Sequence, residues 1–399
     1  MRVLVLHSRY SSGDASGENQ VVDRERALLA AAGHEVQTWT PGPFDPRRRE
    51  HLGVAAGAVH SRAAGRKVRT LVREHRSEIV HCHNLFPGLS PAVIGAAADA
   101  GAAVVMTLHN YRLLCLPATL LRDGRPCEAC VGRLPWRGIV HRCYRNSAPA
   151  SATLAAALAW HRAPRTFGRI QLFLAVSEFV REKHLGAGLA PERIRTKPNF
   201  VAARHFRTGP GEYFLYVGRL SPEKGLSMLV AAHRSELGRL LVAGEGTERA
   251  LLETRVARGI ELLGQVPAER VPELLAGARA LVFPTRAYEG APLAVLEAYA
   301  AGVPVIASRT GALTEIVRDG VSGVLVPADD PRAWTEALTR LLDDGESLRL
   351  GAGAHRLWQK HYTPLRALRN LEGAYRAALT DNAGLSTLVR RPRREEQPT

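Results

Sequence analysis

Two glutamates stand eight positions apart, Glu289 and Glu297, in the stretch "YEGAPLAVLEAYAAGVPVIAS". The run "ALVFPTRAYEG" reads as strand then loop. "APLAVLEAYAAG" reads as helix, with Pro292 near its first turn and Gly302 just past its end. Glu289 then lies on the loop and Glu297 more than a turn into the helix. At a rise of about 1.5 Å per residue, eight positions span at most about 12 Å. Glycosidase carboxylates stand ~5 to 9.5 Å apart across one bond, and a metal dyad converges more closely still. Both readings are disfavoured. Two remain: a merely solvated Glu297, or one elongated ligand held at two points. Between the points, the helix N-terminus offers the amides of Gly290, Ala291 and Leu293 to negative charge. A ligand with hydroxyls at its ends and phosphates in the middle fits that layout.

A second stretch decides between them. "YVGRLSPEKGL" puts Arg219 at a strand end and Lys224 five residues on, across a Ser-Pro-Glu turn. Two cations there can grip a diphosphate and neutralise a departing nucleoside diphosphate. The alternative is a basic turn in a basic protein. Lysine, however, occurs at only five positions (Lys67, Lys183, Lys197, Lys224, Lys360), so its use here is informative. His109 closes the apolar run "AAVVMTLHN" and so faces the presumed cleft, although most histidines in such a chain are structural.

Four of the five cysteines, Cys115, Cys127, Cys130 and Cys143, are clustered with the spacing C-x11-C-x2-C-x12-C. A tetrahedral structural zinc is the leading reading. Disulfides and four free thiols stay open as alternatives, disulfides conflicting with a cytoplasmic chain.

The elements that must position these residues are strand-length apolar runs alternating with helical patterns. "RVLVLH", "EVQTWT", "SEIVHCHN", "AAVVMTLHN" and "IQLFLAVS" form one series. "YFLYVGRL", "RLLVAGEG", "IELLGQV", "ALVFPT", "PVIAS" and "GVLVP" form a second. Such βαβ alternation predicts parallel sheets with ligands beyond the carboxyl ends of the strands. His7, Asn84, His109 and Ser177 sit at such ends. The fold class expected is α/β, with two doubly wound Rossmann-like domains. The first covers residues 1–202 with an insertion at about 111–165; the second covers 203–385 and ends in a helix, "LRALRNLEGAYRAAL", that could return to the first. A basic tail, 386–399, reads as disordered.

A length of 399 residues fits two domains, and 46% hydrophobic residues fits a globular chain. The start "MRVLVLHSRY" shows no cleavage pattern, and no apolar run is long enough to span a bilayer. A cytoplasmic location follows, compatible with contact at the inner membrane face. The net charge of +16 raises nucleic acid as a partner, but 6% aromatic residues and no reading module argue against it.

The runs "VGRLSPEKGL", "VAGEGTER" and "LLGQVPAERVPELLAGARALVFPTRAYEGAPLAVLEAYAAGVPVIASRTGALTEIVRDGVSGVLVPADD" resemble the nucleotide-sugar half of the family 4 retaining glycosyltransferases. The N-terminal half resembles them more loosely, through "SSGDASGENQVV", "IVHCHN", "VVMTLHNYRLLC" and "LAVSEFVREKHL". The resemblance implies the glycosyltransferase type B fold, two facing Rossmann-like domains. It implies that Glu289 holds donor-sugar hydroxyls, that Glu297 binds the ribose, and that Arg219 and Lys224 bind the diphosphate. Glu245 and the backbone of Gln265 and Val266 would border the nucleoside. His109 would approach the transferring sugar, and Gly17 would lie near the phosphates, although "SGE" departs from the usual paired glycines. Transfer would proceed with retention, the leaving phosphate helping to deprotonate the acceptor. No Asp-x-Asp motif occurs, so no catalytic metal is expected. The donor would be a UDP- or GDP-sugar. The acceptor would be a saccharide, a lipid-linked saccharide or a small natural product. A nucleotide-sugar epimerase or a synthase of the same fold is the rival. The cysteine cluster, which is similar to a cysteine-bearing insertion in some polysaccharide-forming members, would shape the acceptor side.

Overall fold

The computed structural model describes residues 1–9, 16–41, 59–86, 88–162, 166–256 and 258–389. Two six-stranded parallel sheets organise it. The first contains β1 (Arg2–Leu6), β2 (Glu35–Trp39), β3 (Ile79–Cys82), β4 (Ala103–Leu108), β7 (Leu172–Ala175) and β8 (Ile194–Thr196), in the order β2-β1-β3-β4-β7-β8. A small antiparallel pair, β5 (Leu121–Arg122) and β6 (Arg125–Pro126), lies in the insertion between β4 and β7. The second sheet contains β9 (Tyr213–Val217), β10 (Arg239–Ala243), β11 (Ile260–Gly264), β12 (Ala278–Phe283), β13 (Val305–Ser308) and β14 (Gly323–Val326), in the order β11-β10-β9-β12-β13-β14.

Central parallel strands are covered by helices on both faces, which is why they read as unbroken apolar runs. Val3 to Leu6 are at most 2% exposed. In each sheet the strand order reverses once, between β1 and β3 and between β9 and β12. Loops leaving the strand ends diverge there and open a crevice. The loop after β9 carries Arg219 and Lys224, and the loop after β12 carries Glu289.

The last helix, Pro364–Val389, leaves the second sheet and packs on the first. Its Leu371, Ala374, Tyr375 and Ala378 are buried with Val3, Val5, Ile79, Val105 and Leu174. It runs past Leu379, where the apolar stripe was expected to end, because no proline intervenes before Pro392. The first four residues of the expected disordered tail, 386–389, are therefore helical; 390–399 lie outside the described residues, as do residues 10–15 of the first loop. Strand β8 has no sequence signal: three residues with a charged centre, "IRT", form the sheet's edge. The helix around Glu297 spans Leu293–Ala300, so Pro292 stands just before the first turn.

Candidate functional site

The turn after β9 and the loop after β12 are joined by a main-chain bond and a side-chain bond. The Arg286 amide donates to the Glu223 carbonyl at 2.8 Å. Thr285 Oγ1 lies 3.1 Å from that carbonyl and 3.0 Å from Glu289 Oε1. Gly225 allows the approach: its φ is +70°, and a β-carbon there would stand 2.0 Å from the Pro284 carbonyl oxygen. This junction brings Lys224 Nζ to 2.6 Å from Glu289 Oε1, with both side chains 17% exposed. The lysine also lies over the Phe283 ring, 5.7 Å from its centroid. Arg219 differs: its side chain is 67% exposed and 3.2 Å from Glu223 at the rim.

Glu245 follows β10. Its carbonyl accepts from the Leu220 amide at 2.9 Å, and its carboxylate meets Arg249 at 2.5 Å. Gln265 is exposed and Val266 half-buried, directly after β11. Glu297, on the fifth residue of its helix, meets Arg24 of the first domain at 2.6 Å. Arg24 belongs to the helix Gly17–Ala31, and a β-carbon at Gly17 would lie 3.9 Å from Leu293. Asn199 Nδ2 donates to the Ala291 carbonyl at 3.0 Å.

Across the cleft, Tyr111 OH donates to the Glu289 carbonyl at 3.5 Å. Glu315 reaches the other way. Its carboxylate accepts from the amides of Glu178 and Phe179, at 2.9 and 2.8 Å, capping the helix Glu178–Leu185.

His109, partly exposed, has its Nε2 2.8 Å from His83 Nδ1. Behind His83 lies a buried polar chain. His81 sits 2.8 Å from both Tyr375 OH and Thr107 Oγ1, and Glu25 pairs with Lys197. Glu25 Oε2 lies 4.0 Å from both His81 Nδ1 and His83 Nε2, and neither it nor His83 Nε2 has a hydrogen bond among the described residues. Burial, reinforced by the Lys197 ammonium, holds His81 and His109 well below the usual imidazole range. Burial and the neighbouring histidines do the same to His83. Glu25, His81 and His83 are spaced as metal ligands could be, but the ammonium already occupies one carboxylate oxygen and opposes a second cation. Beside His109 opens a depression lined by Glu18, Asn84, Phe86, Asn110 and Arg112.

Residues 211–344 match the family Glycosyl transferases group 1, and residues 15–204 match Glycosyltransferase Family 4. A D-inositol 3-phosphate glycosyltransferase of Thermobispora bispora is 34% identical over 395 residues, covering 86% of each chain. The chain is a family 4 glycosyltransferase. A second enzyme of that name, from Acidothermus cellulolyticus, is 32% identical over 234 residues; that match spans 50% of this glycosyltransferase and about half, 51%, of its relative. The Anabaena protein HepE, crystallised with UDP, superimposes with a TM-score of 0.63 at 17% identity, covering 94% of this chain and 99% of HepE. Sucrose-phosphate synthase from Thermosynechococcus elongatus gives 0.68 at 17% identity, covering 95% and 99%. Both have the type B fold of this glycosyltransferase, two facing Rossmann-like domains.

Some residues at the cleft left no local signal. Arg24, Tyr111 and Glu25 are ordinary members of helical or loop segments, and only packing brings them in. Lys197 had a signal, the scarcity of lysine. His7, Asn84 and Ser177 hold structure: His7 meets Asn19 at 2.8 Å, Asn84 bonds the carbonyls of Ser8 and Phe86, and Ser177 caps a helix.

Proposed function

We propose that this glycosyltransferase moves a hexose-type sugar from a nucleoside-diphosphate sugar to an acceptor hydroxyl, with retention of anomeric configuration. The observation that carries the reading is the Lys224–Glu289 contact at 2.6 Å, directly across from the Tyr111–His109 segment. A cation for the leaving diphosphate and a carboxylate for sugar hydroxyls are thereby joined in one half-buried unit. Arg219 at the rim would close on the phosphates, the helix amides at Leu293 would add positive potential, and Glu297 would take the ribose. These charges belong to the protein, so the reading requires no metal ion. UDP bound to HepE supports UDP as the donor base; GDP fits the same charges.

His109 would act as a neutral group. The Glu25 carboxylate favours a proton on His83 Nε2, which makes His83 Nδ1 an acceptor and His109 Nε2 a donor. His109 Nδ1 then keeps a lone pair for a sugar hydroxyl. The depression lined by Glu18, Asn110 and Arg112 supports an acceptor approaching from the first domain. Exposed Leu134, Trp136, Val140 and Trp160 on the insertion support a lipid-linked acceptor at a membrane face; no helix among the described residues is long and apolar enough to cross a bilayer.

A melting screen against UDP- and GDP-sugars tests the donor reading, since ligand binding to the folded state alone raises the melting temperature. One donor should stabilise the chain and be turned over. The reading fails if no nucleotide sugar does either.

A further inference from the structure

We infer that Cys115, Cys127, Cys130 and Cys143 form a structural site for one zinc-like divalent cation, held by four thiolates. All four line a single cavity, with His141 and Gly138 on its wall. The fifth cysteine, Cys82, is buried in β3 and has no part in it.

The cysteines reach that cavity from three separate segments. Cys115 ends a turn from Tyr111, its amide donating to the Tyr111 carbonyl at 2.8 Å. Cys127 follows the β5–β6 hairpin, its amide donating to the Leu120 carbonyl at 2.7 Å, and Cys130 follows one turn later. Cys143 is set by its amide on the Gly138 carbonyl at 2.9 Å. Tetrahedral thiolate sites use such a two-residue knuckle plus ligands from neighbouring segments.

A second observation is independent of the sulfurs. Eight non-glycine residues have positive φ in the described chain, and six of them, Ala118, Leu120, Asp123, Arg142, Arg145 and Asn146, fall in this insertion. Left-handed backbone at such residues persists where surroundings over-determine it. The segment from Tyr111 to Ser147 offers little regular structure for that, one two-residue hairpin and the helix Trp136–Val140. A cross-link at its centre supplies the missing constraint, as metals do for small loop-rich units.

On binding, each thiol gives its proton to solvent and its sulfur lone pair to the metal. No three of the sulfurs lie within 4.8 Å of one another, so binding draws the three segments inward. The site also bears on the cleft. Cys115 and Tyr111 share one turn, and Lys183 Nζ joins Glu128, between Cys127 and Cys130, at 2.6 Å to the helix Glu178–Leu185.

The test uses the full chain purified with reductant and without chelator. Elemental analysis should find about one zinc per chain, released when a mercurial caps the thiols. Cobalt exchanged for it should show thiolate charge-transfer and tetrahedral ligand-field absorption. Cys130→Ser and Cys143→Ser should lose the metal, Cys82→Ala should keep it, and His141→Ala should keep the cobalt spectrum. Two disulfides by non-reducing mass spectrometry, four free thiols without metal, or full metal retention in both serine variants would overturn the assignment. None of these readouts depends on sugar transfer.

Discussion

Gly290 is pressed against the carbonyl of His109: a β-carbon at that glycine would stand 2.9 Å from the oxygen, with Val176 at 3.3 Å behind it. The loop after β12 and the segment after β4 therefore meet at main-chain distance, and they approach this closely only because residue 290 has no side chain.

Gly290→Ala must push the loop and His109 apart by several tenths of an ångström. A misplacement of ~1 Å costs on the order of a hundredfold in rate, so kcat/KM should fall by about ten- to a hundredfold while circular dichroism stays unchanged. Wild-type kinetics in this variant would show that the two segments separate during turnover.

Lys224 and Glu289 share one contact, so they should fail together. Each alanine substitution is expected to lower kcat by about 10²–10³, the loss typical of one preorganised charge-stabilising group. In a double-mutant cycle the losses should be far from additive. Additive losses would place the two groups in separate steps.

Arg24 pairs with Glu297 at 2.6 Å. Side chains 31% and 20% exposed give such a pair modest strength, up to ~1 kcal/mol. On the proposal that Glu297 takes the ribose, Arg24 competes for the same carboxylate, and Arg24→Ala should tighten nucleoside diphosphate binding by up to about fivefold. Weaker binding, measured by titration calorimetry, would instead make Arg24 part of the donor site.

The buried Lys197–Glu25 pair, each side chain 2% exposed, leads to a stability prediction. Lys197→Met strands a carboxylate beside His81 and His83 and should cost about 3–5 kcal/mol in chemical denaturation. Lys197→Met with Glu25→Leu should recover most of it. A double variant no more stable than the single one would mean that the pair has no net electrostatic coupling.

Acid should unfold this protein earlier than its surface charge implies. His81, His83 and His109 are held well below the usual imidazole range by burial, and burial lowers His184 to about 4. Below about pH 6.5 the unfolded chain takes up protons that the folded chain refuses, so stability falls with falling pH. Each such histidine contributes a slope of ~1.4 kcal/mol per pH unit. Urea midpoints between pH 7.5 and 5 measure it; a flat profile would show these rings to be protonated in the fold.

How far the sequence carries depends on whether a feature is written locally. Lys224, Glu289 and Glu297 sit beside strand ends and a helix start marked by glycine, proline and apolar period, so their neighbourhood reads directly. Arg24 meets Glu297 across 273 residues of chain, and Tyr375 meets His81 across 294. Such contacts arise from how domains and the final helix pack, which no short window records. Strand β8 escaped because an edge strand needs no apolar run. The final helix overran its expected end because nothing local stops it.

The central claim is that one cleft reads a nucleoside diphosphate at two separated points, Lys224 for the phosphates and Glu297 for the ribose. Calorimetric titration of the preferred nucleoside diphosphate, its monophosphate and the free nucleoside tests it directly. Lys224→Ala should weaken the diphosphate at least tenfold and leave the nucleoside unchanged, whereas Glu297→Ala should weaken all three alike. If both variants bind the diphosphate as tightly as the natural chain does, the donor does not lie where this account puts it.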